Sequence, residues 1–84
     1  MLTIKILGSG CANCKKVDAI ARQAVAGLSI EATFVKVTDY NDIMAYNILS
    51  TPGLVINEKL VSSGRVPTKA EVTTLITTAL AKEA

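Results

Sequence analysis

Apolar residues dominate from Leu2 to Leu7, and the run stops at Gly8-Ser9-Gly10, a pattern that predicts a buried strand ending in a tight turn. Val17, Ile20, Ala21, Ala24, Val25 and Leu28 then recur at helical spacing, with Lys15, Lys16, Asp18, Arg22 and Gln23 on the other side. This predicts an amphipathic helix over about residues 12–27, with Gly27 as its stop. Ile30 to Val37 is rich in β-branched and aromatic residues and reads as a second strand. Strand, helix and strand in succession make a βαβ unit with two parallel strands. Asp39 or Asn41 then caps a short helix that includes Ile43, Met44 and Ile48.

Thr51-Pro52-Gly53 breaks the chain. Leu54 to Ile56 and Leu60 to Val61 are two apolar runs separated by Asn57-Glu58-Lys59, the pattern of an antiparallel hairpin that Gly64 ends. Thr68 and Glu71 form a capping-box signature, with Pro67 and Val72 as the hydrophobic staple. Val72, Leu75, Ile76, Ala79 and Leu80 then share one face of a terminal helix. The order is strand, helix, strand, helix, strand, strand, helix, without a linker or repeat: a single α/β domain over residues 1–84.

Half of the residues are apolar, which suits a packed globule, and the aromatic residues are limited to Phe34, Tyr40 and Tyr46, so the core is aliphatic. The two tyrosines are expected to be half-buried. Net charge is only +2 and the nine basic residues are scattered, so neither the clustered basic face nor the stacking platforms of a nucleic-acid binder are present. No apolar run is long enough to span a membrane, and the N-terminal run, with Lys5 inside it, is a strand rather than a secretory signal. A cytoplasmic monomer is the expectation. Two cysteines three positions apart in such a chain point away from a mere structural staple.

Cys11-Ala12-Asn13-Cys14 falls where the first strand's turn enters the first helix. Orphan backbone N–H groups and the helix dipole favour negative charge there, so a thiolate is stabilised and reactive at neutral pH. Lys15, with Lys16 beside it, adds to this if it points toward the sulfur. A two-residue gap brings both sulfurs within one helical turn, close enough to bond. Cys11, at the exposed end, is then the nucleophile toward a substrate disulfide, and Cys14, one turn deeper, attacks the mixed disulfide and releases the product. The chain has no His, which excludes a Cys–His catalytic pair and imidazole metal sites.

GSGCANCKK, TPG and GRVPTKAEV together make the chain resemble the small archaeal and bacterial thioredoxin-like redox-active disulfide proteins, a glutaredoxin-sized branch of the thioredoxin superfamily. The resemblance covers nearly the whole chain. It implies a mixed four-stranded sheet in the order 2-1-3-4 with helices on both faces. It implies a nucleophilic Cys11, its partner Cys14, a cis Pro52 facing the disulfide, and Thr51 offering its backbone to an extended substrate segment. Ala12 and Asn13 replace the dipeptides typical of thioredoxins and glutaredoxins, and the first strand has no carboxylate to match the buried acid of thioredoxins.

The reading is therefore a thiol–disulfide oxidoreductase acting on protein or small-molecule disulfides. It needs no separate cofactor beyond the Cys11–Cys14 pair, and a reductase or a low-molecular-weight thiol is its electron donor. The alternative is a soft-metal module carrying Cu, Zn or As on the same two sulfurs. Heavy-metal-associated domains share the strand–GxxCxxC–helix start but put two strands between their helices and finish on a strand, unlike this chain. Gly8 and Gly10 are turn glycines rather than a phosphate cradle, since position 13 is Asn. Gly64 ends a strand or approaches the site's backbone, and Arg65 is a surface charge or greets an anionic group.

Overall fold

A computed structural model describes residues 2–8, 12–48 and 51–83. Strand β1 (Leu2–Leu7), helix α1 (Ala12–Gly27) and strand β2 (Ala32–Val37) form the parallel unit. Helix α2 (Tyr40–Met44), strands β3 (Gly53–Ile56) and β4 (Lys59–Ser63), and helix α3 (Lys69–Glu83) follow. The sheet order is β2-β1-β3-β4, with β3 antiparallel to both β1 and β4. Fold class and strand order are those expected.

Alternation along β1 divides the core in two. Leu2, Ile4 and Ile6 point to the face covered by α1 and α3, where they meet Val17, Ala21, Ala24, Val25, Leu54, Ile56, Val72 and Ile76. Leu7 points the other way and packs with Ile43, Ile48 and Val55. The second cluster is small because α2 has only five residues and buries only Ile43. Tyr40, at its first position, is 72% exposed rather than half-buried: a helix of little more than one turn has one inward face, and Ile43 takes it. Asp39 caps this helix, its carboxylate accepting from the Asn41 amide at 2.8 Å. Ile48 lies beyond the helix, which ends at Met44 with Ala45 as its C-cap; Asn47 then takes a left-handed conformation (φ 59°).

Helix α1 stops at Gly27, as expected. Ser29, two residues on, adopts the left-handed conformation (φ 54°). Its amide donates to the Ala26 carbonyl at 3.1 Å and the Ile30 amide to that of Val25 at 3.5 Å, the paired bonds of a Schellman cap. Residues 30 and 31 complete that exit, so β2 starts at Ala32. The β3–β4 turn needs only Asn57 and Glu58, both at positive φ (50° and 68°), which is the twist a two-residue hairpin requires; Lys59 belongs to β4. At the start of α3, the Thr68 hydroxyl accepts the Glu71 amide at 3.1 Å, while the Glu71 carboxylate takes Arg65 at 2.6 Å. Arg65 is thus committed to an ion pair at the surface.

Candidate active site

Helix α1 begins at Ala12, so Cys14 stands in its first turn, among backbone N–H groups that have no helical partner. That turn contains no acidic residue, and Lys15 and Lys16 follow, so no carboxylate within it offsets the positive end of the helix dipole. Cys14 is 4% exposed and its sulfur is in a disulfide. Burial on the α1 stripe that also holds Val17, Ala21 and Ala24 is what turns the side chain inward. Cys11 lies outside the described residues, as do Ser9 and Gly10.

Gly8 closes the site from the sheet side. Its amide donates to the Val37 carbonyl at 2.9 Å, which carries the β1–β2 pairing one residue past Leu7. A Cβ on Gly8 would overlap Cys14 Sγ and lie 3.9 Å from the Thr51 Cβ. The bare α-carbon is thus what allows the sulfur and Thr51 to approach the same point of the strand end. Thr51 is exposed, Pro52 is buried, and the peptide bond between them is cis. The Pro52 carbonyl accepts the Gly64 amide at 2.9 Å, so Gly64 both follows the end of β4 and ties down this segment.

Beside the sulfur lies a cleft of about 80 Å³ walled by Ile6, Gly8, Cys14, Lys15, Asp18, Lys36 and Thr38. Asp18 does not lie on the solvated face of α1: its side chain is only 16% exposed, with Arg22 Nε at 3.1 Å and Lys36 Nζ at 3.9 Å. The β1–β2 register explains the encounter, since Ile6 pairs with Lys36 and both belong to the face that α1 covers. Arg22 is held in turn over the Phe34 ring, 4.5 Å from its centroid. A larger groove of about 510 Å³ runs between β4 and α3, walled by Leu60, Val61, Leu75 and Ala79, away from the cysteine. Size alone therefore does not mark the site.

A family model described as a thioredoxin domain matches residues 2–77. The chain belongs to the thioredoxin domain family. It is 39% identical over 72 residues to a thioredoxin of Methanothermobacter thermautotrophicus, covering 86% of this chain and 94% of that protein. It is 36% identical over 72 residues to a thioredoxin of Methanocaldococcus jannaschii, covering 86% and 83% respectively. Among solved structures, thioredoxin-2, a component of the malaria parasite's protein secretion machinery, shares the fold, with a TM-score of 0.65 and 14% identity over 93% of this chain and 82% of that one. As a member of this family the chain is a thiol–disulfide oxidoreductase.

Of the residues singled out in the sequence, the structure brings Cys14, Lys15 and Thr51 around Gly8 and its cleft, with Pro52 next in the chain. Asp18, Lys36 and Thr38 were not among them. Asp18 follows Cys14 by four residues, the spacing that puts two side chains on one helix face, and that was the available signal. Lys36 arrives on β2 and Thr38 just past its end, and neither carries a local signal. Among the described residues, no helix is long and apolar enough to cross a membrane.

Proposed function

We propose that this thioredoxin-family chain reduces or exchanges disulfides of proteins or small molecules through Cys11 and Cys14. The Cys11 thiolate attacks a substrate disulfide, forming a mixed disulfide and releasing one substrate thiolate. Cys14 then attacks the Cys11 sulfur, forming the Cys11–Cys14 disulfide and releasing the second substrate thiol. Two electrons pass to the substrate, and a reductase or low-molecular-weight thiol restores the dithiol. Thr51 and Pro52 form the substrate groove, and Lys15 favours the thiolate through its charge. The protein needs no separate cofactor and acts as a cytoplasmic monomer. One observation supports this reading above the others: the disulfide-bonded sulfur of Cys14 sits in the first turn of α1, against Gly8 and next to exposed Thr51.

The test is catalysed reduction of a model protein disulfide by dithiothreitol, with wild type, Cys11→Ser and Cys14→Ser compared. Turnover above the uncatalysed rate that Cys11→Ser abolishes is the expected result. Folded, metal-free protein that gives no acceleration defeats the reading. Stoichiometric metal after anaerobic purification, lost in either variant, would shift the assignment to a soft-metal carrier.

A further inference from the structure

Cys14 is buried, and a buried thiol ionises less readily than an exposed one. Its attack on the mixed disulfide nevertheless requires the thiolate, so the thiol proton must leave through the protein. A cleft of about 80 Å³ opens beside the Cys14 side chain, and the acidic residue in its wall is Asp18. Lys15 and Lys36 are the other titratable groups lining it, and Arg22, one turn further along α1, pairs with the same carboxylate. The first strand offers no carboxylate for the purpose: its only ionisable side chain is Lys5, whose partners Tyr46 and Glu58 lie on the opposite face of the sheet.

We propose that Asp18 is the proton acceptor for Cys14, reached through water in this cleft. The inference rests on the dithiol reading above. Cys14 and Asp18 are separated by one helical turn, which places their side chains on neighbouring positions of one face. The cleft exceeds the roughly 30 Å³ that one water occupies in the liquid, and Asp18, Lys15, Lys36 and Thr38 supply polar partners for it. Arg22 pairs with one oxygen of the carboxylate at 3.1 Å and Lys36 with the other at 3.9 Å. In the resolving step the Cys14 proton passes through the water to Asp18. The Cys14 sulfur then bonds to Cys11, the Cys11–substrate bond breaks, and Asp18 gives its proton up to the departing substrate thiolate, directly or by way of solvent. Electrons move only between sulfurs, and the carboxylate ends unchanged.

The experiment separates the two steps. A mixed disulfide is formed on the protein with an aromatic disulfide reagent, and its formation and its resolution by Cys14 are timed by stopped flow across pH. Asp18→Asn is expected to leave formation intact and to slow resolution about tenfold to a hundredfold near neutral pH. The deficit should shrink above about pH 9, where hydroxide removes the thiol proton unaided. Asp18→Glu should restore most of the rate. Resolution unchanged in Asp18→Asn, or slowed by the same factor at every pH, overturns the proposal. A measurement on the native carboxylate stands if Asp18→Asn does not fold: in reduced Cys11→Ser, the Asp18 carboxyl-carbon shift should inflect as Cys14 ionises. A trace without that inflection overturns the proposal equally. Failure to form a mixed disulfide at all, by contrast, defeats the dithiol reading itself.

Discussion

The α-carbon of Gly8 lies against the sulfur of Cys14 so closely that a methyl group there would overlap it, and would also come within 3.3 Å of the Cys14 Cβ. The strand end and the helix start are both backbone-constrained, Gly8 by its bond to Val37 and Cys14 by the first turn of α1. Neither can retreat cheaply. Gly8→Ala is therefore expected to cost about 1–3 kcal/mol in denaturant unfolding and to slow disulfide exchange. In a Cys14→Ala background the same substitution should cost less than half as much, because the overlapping atom has gone. Equal penalties in the two backgrounds would show that the contact is not the cause.

A second expectation concerns pH. On the sheet face opposite the site, Lys5 Nζ meets Glu58 Oε1 at 2.5 Å, and the Tyr46 hydroxyl accepts from Lys5 at 3.0 Å while donating to Glu58 at 3.2 Å. The hydrogen bond from the Lys5 ammonium holds the Glu58 carboxyl below its usual range, with Tyr46 assisting. The same hydrogen bond to Glu58, and then that to Tyr46, push the Lys5 ammonium above the usual lysine range. For a depressed acid the stabilisation is present above the unfolded carboxyl value near 4.3 and is lost as pH falls through the folded value. For a raised base it is full below the unfolded value near 10.4 and is lost as pH rises through the folded one. Glu58→Gln should therefore lower the melting temperature at neutral pH, and the difference from wild type should close under acid below about pH 4. A difference that persists unchanged in acid would rule out the charge as its source.

Helix α3 depends on its first turn. Its Thr68 hydroxyl accepts the Glu71 amide, and the Thr68 carbonyl accepts the Val72 amide at 3.0 Å. Thr68→Ala removes the side-chain acceptor and should cost about 0.5–2 kcal/mol in urea unfolding, whereas Thr68→Ser should cost much less. Equal losses in the two variants would mean that the hydroxyl is not the stabilising group.

The same helix anchors the larger core through Ile76, which is fully buried among residues of β1, β3 and α1. Ile76→Ala should destabilise by about 2–5 kcal/mol. It should leave the rate of mixed-disulfide formation unchanged in the folded protein, since Ile76 packs in the core rather than at the cleft. A variant as stable as wild type would show that this core relaxes to fill the gap.

How much of this was legible beforehand follows from the range of each interaction. Period-two and period-3.6 patterns are local, so the strand at Leu2–Leu7, the helix after Cys11, the hairpin and the capped terminal helix could all be read from neighbouring residues. The cysteine pair was legible for the same reason: its chemistry depends on its place at a helix start. Element ends were less so, because β2 starts at Ala32 rather than Ile30 and α2 stops before Ile48. By itself the sequence determined the order of elements, the aliphatic character of the core and the thiol motif. Tertiary structure alone decided that Asp18, read as a solvent-facing helix residue, meets Lys36 beside Cys14, and that Gly8 leaves room for the sulfur. Those meetings depend on the β1–β2 register and on how α1 lies across it, and long-range pairing of that kind leaves no periodic trace in the chain.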